Sequence, residues 1–292
     1  MRRLKGILFL LFLSIFSGMF MGSSLAIDMP RIDRSKIRLY IRPGFTESGK
    51  ISIENPTGAV LSMRAYLGDW YYSNSDGSKE FIPPNTAAHS CANWVSFSPA
   101  EFNIGPFGRE EINYTVKVPK ETNGGYYAVL FFENMLAGAS ANFPDAVGVN
   151  LSVRFATLFY IEVRGTTERK AVLENIELKK AGPVAPLLVN ADFKNTGNVD
   201  IISSGVFAVM DKKSRVAARG TFNDVYTLPG DKVKLKGIYR ETLESGIYNL
   251  IITLDLSKTE YRWIPNQGTF LVKEVEFEVG ADGTLANFNV AR

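Results

Sequence analysis

The sequence predicts an all-β protein in which a signal peptide precedes two tandem immunoglobulin-like β-sandwich domains. Three observations carry that expectation. Apolar residues recur with a period of two, turn-forming clusters separate the apolar runs, and one order of landmarks occurs twice. The expected division is 1–26 for the signal peptide, 27–165 for an N-terminal domain, 166–280 for a C-terminal domain and 281–292 for a tail.

Arg2, Arg3 and Lys5 precede an apolar run over residues 7–16, and small residues lead to Ser24-Leu25-Ala26. A positive segment, an apolar segment too short to span a bilayer and a Ser-x-Ala cleavage signal together describe an export leader. No cysteine follows the expected cut, so no lipid anchor is indicated. No later stretch reaches the roughly 20 apolar residues of a membrane helix. The mature chain is expected to start near Ile27, to carry no transmembrane segment and to reside in the periplasm. Without the three basic residues of the leader, 30 basic residues face 30 acidic ones. The electrostatic footprint of a nucleic-acid binder is then absent. The remaining chain, about 266 residues, suits two domains, each large enough to bury a core.

The strands follow from alternation. Ile37, Leu39 and Ile41 alternate with Arg38, Tyr40 and Arg42; Ile51 and Ile53 with Ser52 and Glu54; Ile112, Tyr114, Val116 and Val118 with Asn113, Thr115 and Lys117. These are half-buried strands. Between them lie Arg42-Pro43-Gly44, Asn55-Pro56-Thr57-Gly58 and Asn74-Ser75-Asp76-Gly77, whose residue types favour turns. Residues 170–180 fit a strand through Val172, Leu173, Ile176 and Leu178, and no long helix is expected after the leader.

The repeat supports two domains. In the first half a strand ends in Asn55-Pro56-Thr57-Gly58, Pro106-Phe107-Gly108 precedes the strand at 111–118, and Gly125-Tyr126-Tyr127 opens the apolar run 128–132. In the second half Asn195-Thr196-Gly197-Asn198 ends a strand, Pro229-Gly230 precedes residues 232–236, and Gly246-Ile247-Tyr248 opens the run 250–254. From Asn to Gly the first half uses about 70 residues and the second about 51, which places an insertion within 69–103. A tyrosine at the start of the penultimate strand suits the tyrosine corner of an immunoglobulin-type sandwich.

The residues offer little to catalysis. Cys91 is the one cysteine, so no intrachain disulfide forms, and it reads as a small buried apolar residue or as an exposed thiol. His89 is the one histidine and sits in a loop-like stretch beside Ser90 and Cys91. Adjacent residues rarely face each other as a nucleophile and its base must. Cys and His clusters, phosphate-binding Gly-rich loops and regular calcium loops are missing, so no catalytic residue, metal or cofactor is expected.

Residues 35–55, with an extended strand, Arg-Pro-Gly and then Gly49-Lys50-Ile51-Ser52-Ile53-Glu54-Asn55, resemble the first two strands of PapD-like periplasmic pilus-assembly chaperones. Trp94-Val95-Ser96-Phe97-Ser98-Pro99 followed by Phe102-Asn103-Ile104 is similar to the stretch before that family's fifth strand. Val149-Asn150-Leu151-Ser152-Val153-Arg154 through Leu158-Phe159-Tyr160 is similar to the long last strand of its first domain. The resemblance covers most of residues 35–165 and only the general architecture of 166–280. It implies capping of pilus or surface-fibre subunits: the last strand of the first domain is donated to an incomplete subunit sandwich, and two basic residues between the domains hold the subunit's C-terminal carboxylate.

In this chain the donated strand would be Val147, Val149, Leu151, Val153 and Phe155, alternating with polar or small residues. Backbone ladders would give affinity and alternate side chains specificity. From 147 to 163 it would reach roughly 56 Å at about 3.3 Å per residue. Such a strand must bend, break near Thr157 or protrude; it either closes its own sandwich or offers an edge. Arg38 takes the place of the family's first-strand arginine, with Arg154 or Arg42 as its helper, because Thr157 stands where the resemblance expects a lysine. An ordinary solvated strand face is the competing reading of these arginines. A second class of function is a cell-envelope adhesion or scaffold protein that binds peptidoglycan or a surface partner.

Overall fold

The computed structural model describes residues 29–135, 152–180, 186–258 and 269–290. The expected signal peptide, and Val147, Val149 and Leu151, lie outside the described residues. Ten strands form the first half: β1 (Arg31–Ile32), β2 (Lys36–Ile41), β3 (Thr46–Glu54), β4 (Leu61–Tyr72), β5 (Lys79–Ile82), β6 (Val95–Ser98), β7 (Glu101–Ile104), β8 (Arg109–Lys117), β9 (Gly125–Met135) and β10 (Ser152–Val163). They pair as one sheet in the order β1-β3-β8-β6 and another in the order β2-β10-β9-β4-β5, with β7 beside β4. The second half holds β11 (Ala171–Lys179), β12 (Leu187–Asn195), β13 (Ile201–Asp211), β14 (Val216–Thr221), β15 (Val225–Thr227), β16 (Lys232–Tyr239), β17 (Gly246–Lys258), β18 (Phe270–Val279) and β19 (Leu285–Val290). Its sheets run β11-β12-β16 and β14-β13-β17-β18-β19, with β15 beside β13. Among the described residues the only helical element is a 3₁₀ turn at Ala92–Trp94. The protein is a pair of β-sandwiches.

Each sandwich has its own core. Ile37, Ile51, Ile112, Leu130, Phe132, Phe159 and Ile161 pack in the first, and Phe193, Phe207, Leu235, Leu250, Ile252 and Phe277 in the second. Cys91 is fully buried in the first core. The run 128–132 is apolar at every position because the sheet containing β9 buries both faces. Ala128, Leu130 and Phe132 point into the sandwich, while Val129 and Phe131 join Trp70, Tyr127 and Tyr160 in a cluster on the outer face that also takes Leu228 from the second half.

The repeated landmarks have structural equivalents. Asn55 and Asn195 are buried. Asn55 Nδ2 donates to the carbonyls of Ala59, Ile104 and Gly105, and Asn195 Nδ2 donates to that of Val199. Each side-chain oxygen accepts the amide two residues on, at Thr57 and Gly197. Burying an amide is favourable only when its hydrogen bonds are met, so this side chain clamps the same corner twice. Tyr248 Oη donates to the Glu244 carbonyl at 2.9 Å, which makes a tyrosine corner. β7 and β15 pair with the opening residues of β4 and β13. The extra length of the first half lies between β5 and β7, where the 3₁₀ turn and β6 are inserted.

Residues 281–292, expected as a tail, contain β19, which pairs antiparallel with β18. The cause is a tight turn: Gly283 has φ +75°, and Asp282 Oδ1 accepts the Thr284 amide. Turns with a positive φ at glycine and an Asx bond favour hairpins.

Candidate partner-binding edge and ion-paired junction

The first strand of the chain changes sheets. β1 runs antiparallel to β3 in one sheet, and after residues 33–35 β2 runs parallel to β10 in the other, with Lys36 opposite Leu158 and Arg38 opposite Tyr160. This crossover places Arg38 on the outer face of its sheet, toward the second half. Its guanidinium lies 4.5 Å from the centre of the Tyr160 ring. Nη1 donates to Glu162 Oε1 at 2.6 Å and to Asp200 Oδ1 at 2.8 Å, and Nη2 donates to Asp200 Oδ2 at 2.6 Å. Arg169 Nη2 bonds both oxygens of Glu162. Two arginines and two carboxylates thus form a buried network across the junction of the halves. Burial pushes the Asp200 carboxyl up, but the neighbouring cations, Arg38 foremost with Arg169 and Lys36, more than reverse this and hold its pKa below the ordinary value.

Backbone contacts reinforce the junction. The Asp200 amide donates to Tyr127 Oη at 2.6 Å, the Gly125 amide to the Asn198 carbonyl at 2.7 Å, and the Asn198 side chain to the Thr166 carbonyl. Tyr127 occupies the position in its half that Tyr248 holds in the other. The same landmark makes a corner in one half and a bond between halves in the other.

β10 is a central strand for part of its length and an edge for the rest. It pairs with β9 from Ser152 to Glu162 without a register shift, so no bulge interrupts it at Thr157. β2 covers its other side only from Leu158 to Val163. Thr157 is buried and its Oγ1 donates to the Arg34 carbonyl at 2.6 Å, so this residue marks where the crossover leaves the sheet. Among the described residues no strand pairs with that side of β10 before Leu158. The Leu158 amide donates to Ser35 O, toward β2. By the alternation of a strand, the N–H and C=O groups of Ala156 and Arg154 face the same, open side.

Of the residues expected to meet a partner, Val153 and Phe155 lie on this stretch, half-buried on the inner face, with Phe155 packed near Phe132. Phe159 and Ile161, farther along, are fully buried. The structure does not bring the three arginines together. Arg154 is six residues from Tyr160 along β10, roughly 20 Å. Its guanidinium lies 4.4 Å from the centre of the Phe131 ring. Arg42 is exposed just beyond β2. Lys36, two residues before Arg38, instead joins it over Tyr160 at 5.1 Å.

Asp200, Glu162 and Arg169 escaped the reading of the sequence. One signal could have exposed Asp200: counting five residues from each landmark asparagine gives Val60 in the first half and Asp200 in the second. The structure inverts the usual preference, leaving Val60 59% exposed and Asp200 4% exposed. A buried acid where its counterpart is an exposed apolar residue calls for a cationic partner.

No protein-family model and no curated protein matches the chain. Solved structures do. A chaperone–tip adhesin complex of CFA/I fimbriae is 11% identical, with 84% of this chain and 98% of that one covered at a TM-score of 0.48. The class 5 fimbriae chaperone CfaA is 14% identical over 84% and 98%, at 0.45. The Salmonella enterica SafA pilin complex with the SafB chaperone is 9% identical over 90% and 96%, at 0.40.

Proposed function

We propose that this protein is a periplasmic chaperone for subunits of a pilus or other surface fibre. It takes a subunit by strand addition along the open side of β10 before Leu158. The observation that supports this reading is the half-covered strand: β10 is fixed by β9 along its length, yet β2 begins only at Lys36, so among the described residues no strand covers the backbone groups of Arg154 and Ala156. Folded proteins normally cover such an edge, and an uncovered one templates a further strand. Val153 and Phe155 lie on the inner face of the same stretch, where alternate side chains could meet a subunit's groove.

The junction has a supporting role. Arg38, expected as the anchor of a partner's C-terminus, has its planar fork occupied by Asp200 and Glu162, so we assign it to holding the halves in place. The division near residue 165 makes each pair of sheets a domain, and this network joins them.

Ala156→Pro tests the reading. It removes the one donor of Ala156, which faces the open side, and leaves the bonds to β9 in place. The wild-type protein should hold a fibre subunit soluble in a stoichiometric complex, while Ala156→Pro should lose the complex and keep its melting temperature within about 5 °C. A variant that retains the complex would overturn strand addition at this edge.

A further inference from the structure

The outer face of the β10 sheet carries one row of charges that stops at the open edge. Arg154 on β10 is directly opposite Glu133 on β9, Glu133 is opposite Arg64 on β4, and Arg64 is opposite Glu101 on β7. Read across four neighbouring strands, the signs run positive, negative, positive, negative. The inner pair is formed: Arg64 Nη2 meets Glu133 Oε2 at 3.0 Å. Arg154, at the end of the row, lies 4.4 Å from the centre of the Phe131 ring and donates to Tyr66 Oη at 3.4 Å. Its own backbone N–H and C=O face the open side.

From this row the geometry points to a specificity rule: a strand added to β10 carries an aspartate or glutamate beside Arg154, on its outward face. A residue of an added strand that shares Arg154's face has its Cβ about 4.5–5.5 Å away, the distance of a direct cross-strand pair. There an acidic side chain continues the alternation, and a basic one faces a like charge. The Arg154 guanidinium lies over the Phe131 ring on the outer face, so the site favours a carboxylate arriving from the added strand. Arg154 is thus a selector of a partner side chain, distinct from any capture of a chain terminus. The inference rests on the strand-addition reading above and goes further by naming the chemistry of the partner's outward face.

The test uses the purified protein and three short capped peptides of alternating valine and threonine that differ only at the central threonine position, which is Glu, Gln or Lys. Binding is measured by calorimetry, and amide exchange at Ala156 reports whether the peptide occupies this edge. The wild-type protein should bind the Glu peptide about two- to five-fold more tightly than the Gln peptide, and the Lys peptide more weakly still, as cross-strand charge pairs do. The order should compress at high salt. Arg154→Glu should reverse the order of the Glu and Lys peptides, and Arg154→Lys should preserve it. Equal affinities for all three peptides, with Ala156 protected, would overturn the charge rule and leave strand addition standing. If no peptide protects Ala156, strand addition fails and the rule falls with it.

Discussion

Asp200→Ala is the sharpest perturbation of the junction. It removes two charge-assisted hydrogen bonds, at 2.6 and 2.8 Å, from a guanidinium whose side chain is 6% exposed. Arg38 is then left with Glu162, which Arg169 already engages through both oxygens. Removing one partner of a buried ion pair costs about 3–5 kcal/mol, because the remaining charge stays desolvated. At roughly 2–4 °C per kcal/mol for a chain of this size, the melting temperature should fall by about 6–20 °C. Trp70 reports the transition, since it is buried 5.1 Å from the Tyr160 ring that lies beneath Arg38. Adding Arg38→Ala removes the orphaned cation. The double variant should therefore be less destabilised than the sum of the single variants, by about 1–3 kcal/mol in urea titrations. Single variants that each cost under about 1 kcal/mol and add without coupling would refute the assignment of Arg38 to the junction.

Acid should act through the same network. Asp200 has its pKa lowered in the folded protein, so its contribution is complete above the ordinary carboxylate value of 3.8 and is lost as pH falls below that value, through the folded-state pKa. Urea midpoints measured across this range should drop less steeply in Asp200→Asn than in the wild type. Asn55→Ala should cost about 2 kcal/mol in chemical denaturation, because it leaves the Ile104 carbonyl and its neighbours without their donor in a buried corner.

The strands were legible because half-burial writes itself into a period of two, and the repeated Asn, Gly and Tyr landmarks were legible because each has a local task. Asn55 clamps its own corner, and Tyr248 reaches back only to Glu244. What stayed hidden is non-local. Nothing near residues 33–35 states that the strand will change sheets there. Arg38, Glu162 and Asp200 are separated by 124 and 162 positions and meet only once both halves are folded. The run 128–132 reads as apolar, but the burial of its outer face is non-local: Tyr66, Phe81 and Arg154 pack on Phe131, and Leu228 of the second half joins the same cluster. β19 was legible in principle through its Asp282-Gly283 turn, and the mixed polar residues after it masked the strand.

Residue-resolved amide exchange along β10 tests the central claim most directly. In the protein alone, the amides of Phe155 and Thr157, which face β9, should exchange slowly, while those of Arg154 and Ala156, which face the open side, should exchange fast. Adding a fibre subunit should slow Arg154 and Ala156 and leave Leu158, already bonded to Ser35, unchanged. Slow exchange at Arg154 and Ala156 before any partner is added, or no change in them when a subunit binds, would contradict strand addition at this edge.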